Sequence, residues 1–334
     1  MPNPRQLREI AERSFICDFG VLSENSVGRL EPEPECEIRT CFQRDIDRIT
    51  HSKAFRRLKH KTQVYLQPEG DHYRTRLTHT LEVSRLARTV ARALNLNEDL
   101  AEAMALGHDL GHTPFGHAGE RALARIHPEG FKHYEQSLRV VDVLERDGRG
   151  LNLCYETRMG ILHHTLGAPD DTREATIVRL ADRIAYINHD LDDTIRAGIL
   201  RAEDVPEMIR TRCGERNSER INSIISDLIA YSSDGEIKMS GYMQEAVDFF
   251  HTFMYEDVYT NPIAKGEESK VDGILAGIYD YYVKHPEKLP QELRLIAERE
   301  GVQRAVCDYV SGMTDGYAME KYSEIFIPMS WTVK

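Results

Sequence analysis

The chain has 334 residues, room for one large helical domain or two smaller lobes sharing a core. Its 41% hydrophobic and 29% charged residues are the balance of an ordinary globular protein, and no apolar run nears the roughly 18 residues of a spanning helix. A formal net charge of -12 argues against a general nucleic-acid coat, because a phosphate backbone needs a cationic face.

The opening MPNPRQLREIAERSF has charges where a secretory signal carries its apolar core, so the expected location is cytoplasmic, with no membrane attachment. Residues 5–15 read as a short helix and 18–41 as a loop, with Gly20, Gly28 and the acidic stretch EPEPE. Cys17, Cys36, Cys41, Cys154, Cys213 and Cys307 form no CxxC pair and read as free thiols. Arg56, Arg57, Lys59 and Lys61 concentrate positive charge, as a solvated helix face also would. A short hairpin is expected near Pro68-Glu69-Gly70.

Residues 76–95 then read as a helix whose stripe of Val83, Leu86, Val90 and Ala93 is headed by His79. Asn97 looks like the N-cap of a helix running to His108-Asp109 and stopping near Gly111 and Pro114. A further helix, about 174–196, places Ile177, Leu180, Ile184, Ile187 and Leu191 on one stripe and Asp182, Tyr186 and Asp190 on another face. Residues 217–325 read as several helices with a polar loop near 261–270 and a break at His285-Pro286. Nothing marks a clean domain boundary. The expected layout is an N-terminal segment and loop (1–45), a catalytic core (46–215) and a C-terminal helical region packed on it (216–334).

The densest chemistry is HDLGHTPFGHAGE, residues 108–120. Three histidines, an aspartate and a glutamate so close together suit a metal with acid/base groups beside it. Three metal readings compete. A zincin would use His108 and His112, but it wants glutamate where Asp109 stands and a continuous helix across Gly111. A structural zinc site would recruit cysteines, and none is near. In the third, the adjacent His108 and Asp109 reach one ion over a helix terminus, with His79 and Asp182 from other helices. A mixed His2Asp2 set suits a divalent ion such as Mn, Fe, Mg or Co. Each ligand has a bland alternative: His79 as a bonded core histidine, Asp182 as a partner of Arg179 or Arg183.

The order H…HD…D resembles the HD-domain phosphohydrolases. FRRLKHKTQV (55–64), GDHYRTRLTHTLEVSRLART (70–89), ALGHDLGHTPFGHAGE (105–120), HYEQSLRV (133–140), IVRLADRIAYINHDLDD (177–193) and VCDYVSGMTDGYA (306–318) are similar to the bacterial deoxynucleoside triphosphate triphosphohydrolases. The resemblance implies an all-α HD-domain helical fold with a C-terminal helical extension, with 46–215 as the HD core. It implies hydrolysis of a dNTP to deoxynucleoside and tripolyphosphate.

The same resemblance implies site roles. His117 and Glu120 match the catalytic pair, whose alternative is a helix cap and a surface ion pair with Arg121 or Arg125. His112 and His133 match further active-site histidines. Gln63, Arg76, Arg183, Tyr186 and Asp190 match substrate contacts, with Tyr186 packed under C2′ of the sugar. A homo-oligomer, hexamer or tetramer, and a dNTP effector are implied as well; single-stranded nucleic acid is a partner nothing in the sequence indicates. Ile46, Lys132, Tyr134, Ala175 and Thr176 depart from the usual family text and bear on base specificity, effector binding and subunit contacts. An HD-type 5′-nucleotidase or phosphodiesterase, or a catalytically silent nucleotide-binding regulator, are the alternatives.

Overall fold

The computed structural model of the chain describes residues 1–64, 72–233, 235–261 and 266–328. The fold is all-α: the described residues form no sheet, only isolated bridges such as Thr62 with Thr75. The hairpin expected around Pro68-Glu69-Gly70 lies outside the described residues. No described helix is long and apolar enough to cross a membrane.

Helix α1 (Pro4–Phe15) starts at an Asn3 capping box, and 16–40 is irregular apart from one 3-10 turn at Ser23–Asn25. Next come α2 (Cys41–Thr50), α3 (Lys53–Arg57), α4 (Arg76–Ala93) and α5 (Glu98–Gly107). Thr75 caps α4 in a reciprocal box with Thr78, and Asn97 caps α5 by accepting from Leu100 N at 3.1 Å. Then follow α6 (Gly116–Ile126), α7 (His133–Arg139), the single turn α8 (Glu145–Gly148), α9 (Tyr155–His163) and α10 (Arg173–Arg196).

Helices α4, α5 and α10 pack on one another around Val83, Ala87, Leu100, Met104, Ile177 and Ile184, all essentially buried. Each such side chain contributes roughly 1.5–3 kcal/mol when taken from water. From the other side, α11 (Glu207–Arg212), α12 (Asn217–Tyr231) and α13 (Gly241–Phe253) close this core with Ile209, Ile224 and Phe250. Helix α13 runs into a π-helical turn, Met254–Tyr259.

A second core is built around α6. Phe115, Ala118 and Leu123 pack with Leu275 and Ile278 of α14 (Glu268–Lys284), Ile296 of α15 (Gln291–Glu300), Val306 and Val310 of α16 (Val302–Ser311) and Ala318 of α17 (Asp315–Phe326). Helix α6 is central in sequence but packs with the C-terminal helices.

The segment between α5 and α6 is pinned by close approach. A Cβ at Gly111 would overlap Ser137 N and the Gln136 carbonyl carbon, and one at Gly119 would overlap Pro114 O. Phe115, the residue before α6, is left-handed at φ 64°, which costs a non-glycine roughly 1–2 kcal/mol. Gly111→Ala must therefore push α7 away from this turn. Urea unfolding should show a loss of about 3 kcal/mol, the upper end of overpacking costs; an unchanged midpoint would mean the approach is slack.

Candidate active site

Four of the expected side chains meet where α4, α5 and α10 come together. His79, at the fourth position of α4, places Nε2 3.0 Å from Asp182 Oδ1 on α10. Helix α5 ends at Gly107, so His108 and Asp109 stand on its terminus instead of on one continuous face. His108 Nε2 lies 3.4 Å from Asp109 Oδ2 and 3.8 Å from Asp182 Oδ1. Because the helix stops, the continuous HxxxH face of a zincin is absent.

His108 Nδ1 donates to Ala105 O at 2.7 Å, which leaves Nε2 facing the carboxylates. That atom is buried and has no hydrogen-bond partner of good geometry. Burial alone would hold the His108 imidazole neutral, yet Asp109 and Asp182 outweigh it and push its pKa up to about 9. The carboxyl of Asp109, for its part, is held well below its usual range despite burial, by Arg76 and His108. Arg76 Nη1 donates to Asp109 Oδ2 at 2.5 Å. The field thus calls for more positive charge than Arg76 supplies. Donor atoms of His79, His108 and Asp109 lie within 4.8 Å of one another, so the set fits a divalent cation. Arg179 and Arg183 are engaged by Asp171 and Asp248, so neither competes for Asp182.

A second group lies beside it. Glu120 Oε2 is 3.4 Å from His117 Nδ1, and Oε1 accepts from both His133 N and His133 Nδ1 at 2.9 Å. Burial pushes the Glu120 carboxyl up, but bonds from His117 and His133 prevail and keep it well below its usual range. Arg121 and Arg125 reach instead to Glu268 and Asp272. His112 stacks on His133 at 4.9 Å, and both its ring nitrogens are buried without a partner. Burial beside Arg76 keeps His112 well below its usual pKa.

Two cavities open on these residues. One, of about 520 Å³, is lined by Arg76, His79, Asp109, His112, Asp182 and Arg183 among others. The other, of about 570 Å³, is lined by Phe115, Arg121, Asp190, Tyr255, Tyr259 and Glu268 among others. Gln63, His117 and Tyr186 line both. Arg183 reaches the rim, where it donates to Asp248 at 2.6 Å.

Several participants carry no spacing signal. His164 Nε2 lies 3.2 Å from His133 Nε2, and burial, with His108 and His133 nearby, pushes the His164 pKa down to about 4. Its only trace in the sequence is the pair His163-His164. Tyr259 stacks on Tyr186 at 5.2 Å and donates to Asp190 Oδ2 at 2.6 Å. It arrives on the π-helical turn, a local feature that helical periodicity does not reveal.

Compared with known proteins, the chain matches the HD domain over residues 76–187 and a phosphohydrolase-associated domain over 237–324. A deoxyguanosinetriphosphate triphosphohydrolase-like protein of Caldanaerobacter subterraneus subsp. tengcongensis is 51% identical, covering 98% of this chain and 97% of the relative. Proteins of the same description from Desulfatibacillum aliphaticivorans and Clostridium tetani are 48% and 43% identical, each covering 97% of this chain and 98% and 96% of the relative.

The cation reading has a direct check. His108→Ala and Asp182→Ala should each lose bound metal in elemental analysis while keeping the wild-type helical signal. Full metal content in either variant would mean a different ligand set.

Proposed function

Since the chain belongs to the HD-domain family of deoxyguanosinetriphosphate triphosphohydrolase-like proteins, we propose that it hydrolyses deoxynucleoside triphosphates, dGTP or several dNTPs, to deoxynucleoside and tripolyphosphate. The observation that carries the reading is the neck between the two cavities. One side is lined by Arg76, His79, Asp109, His112 and Asp182, the other by Asp190 and Tyr259; Gln63, His117 and Tyr186 border both. A bond cleaved at that neck joins the α-phosphorus to the 5′-oxygen.

In this reading His79, His108, Asp109 and Asp182 hold one divalent cation, Mn, Mg, Fe or Co. Such a cation, held by these four side chains, would supply polarisation of the α-phosphate and a lowered pKa for a neighbouring water. Arg76 keeps Nη2 buried and unpartnered, ready for a phosphate oxygen while Nη1 stays on Asp109. His112, neutral, has one N–H to offer a further phosphate oxygen. His117 gives a proton to the departing 5′-oxygen, and ionised Glu120 orients its imidazole together with that of His133. Asp190, steadied by Tyr259, accepts from the 3′-hydroxyl. Tyr186, backed by Tyr259, packs under C2′ and excludes a 2′-hydroxyl by contact. Gln63 touches the sugar from the opposite segment, and Arg183 reaches the outer phosphates from the rim.

Incubation with each dNTP plus Mn or Mg, followed by chromatography, should give deoxynucleoside and tripolyphosphate. Orthophosphate or a nucleoside monophosphate would contradict this and favour a nucleotidase or phosphodiesterase. His117→Ala should lower kcat by about 10²- to 10⁴-fold, the worth of a positioned acid, with metal content intact.

A further inference from the structure

The stretch VCDYVSGMTDGYA (306–318) lies far from the site in sequence and lines neither cavity. It forms most of α16, the turn after it and the start of α17. Asp315 is 3% exposed. Its Oδ2 accepts from Thr62 N at 2.9 Å and Thr62 Oγ1 at 2.5 Å, and its Oδ1 accepts from Phe115 N at 2.9 Å. Lys61, also 3% exposed, donates Nζ to Ser311 O at 2.9 Å and to His112 O.

These bonds tie down two irregular segments. One is Lys61-Thr62-Gln63, which carries Gln63 into the neck. The other is His112 to Gly116, which aims His112 and, two residues past Phe115, His117. Arg76 joins the first segment as well, donating Nε to Thr62 O at 3.3 Å and its backbone N to Lys61 O at 3.2 Å. The segments touch: the Cβ position of Gly116 lies 3.5 Å from Gln63 O. Neither has a helix ladder of its own to fix it, and Phe115 adopts a conformation its side chain disfavours. A single carboxylate from the C-terminal helices thus bonds both segments, next to Gln63 on one and two residues before His117 on the other.

We propose that Asp315 is a positioning residue for the hydrolysis: it acts through Phe115 on His117 and through Thr62 on Gln63, with Lys61 as a second tether. This rests on the reading of His117 as acid and Gln63 as sugar contact. The two oxygens divide the work, so the two substitutions separate it. Asp315→Ala removes both anchors. Asp315→Asn keeps one carbonyl oxygen for Phe115 N when its NH2 turns to Thr62, whose Oγ1 can accept from it while Thr62 N loses its bond.

The test compares kcat, KM and amide exchange of the full chain, wild type and both variants, with the dNTP that wild type hydrolyses best. Asp315→Ala should lower kcat about 10- to 100-fold with metal content unchanged, as small misplacements of reacting groups do. It should also speed exchange of the Phe115 amide at least about tenfold, the loss of one held hydrogen bond. Asp315→Asn should recover kcat to within about threefold and keep Phe115 protected, with KM raised. Wild-type kcat in Asp315→Ala, or equal kcat in the Ala and Asn variants, would overturn the proposal. If the Ala variant does not fold, Asn decides alone: raised KM with kcat kept supports it, and both unchanged overturn it. A wild-type protein inactive on every dNTP sinks the functional reading instead. The exchange arm then stands by itself, and an unaltered Phe115 rate in Asp315→Ala overturns the positioning claim.

Discussion

Two carboxylates, Asp109 and Asp182, share a pocket floor with His79 and His108 where three helices meet. Charge held there costs several kcal/mol per ion unless it is paired. Arg76 answers Asp109, and Asp182 faces the imidazoles of His79 and His108. The packing of α4, α5 and α10 is thereby tied to a charge requirement that hydrophobic contact alone does not impose. Apolar stripes bring the helices together; the polar ends of those stripes decide what the junction can hold.

The remaining groups sit on a different unit. Helix α6 carries His117 and Glu120 but buries its apolar face against α14 to α17. The junction of the two cores is thus the place where the cation set and the histidine–glutamate group face each other. Irregular backbone borders it at Lys61 to Gln63 and His112 to Phe115. Such backbone has no helix ladder of its own, which is why the buried Lys61 and Asp315 bear on the geometry of the neck. Close glycine contacts at Gly111 and Gly119 remove the slack that is left.

Much of the helical frame was legible in the sequence, because local physics specifies it. Asn97 is the cap its side chain suggests, α10 follows its cap Thr172 and carries the stripe of Ile177 and Ile184, while α5 ends at Gly107, short of the expected His108-Asp109. The set His79, His108, Asp109 and Asp182 is proposed because His79 heads an apolar stripe, His108 and Asp109 adjoin at a helix end, and Asp182 lies within an apolar run. What stayed hidden depends on contacts far apart along the chain or on departures from the helical period. Asp315 reaches Thr62 across the whole catalytic region, and nothing local marks either residue. Tyr259 comes onto Tyr186 only through a π-helical turn. Arg183 borders the cavity as its helix position suggests, but Asp248, from another helix, holds its guanidinium.

One divalent cation is expected at the junction of α4, α5 and α10. Anomalous diffraction from crystals of the Mn-loaded protein, collected at the manganese edge, tests it most directly. It should show a single peak per chain enclosed by His79, His108, Asp109 and Asp182. A peak centred on His112, His117 and Glu120 instead, or none in protein that contains manganese, would contradict it.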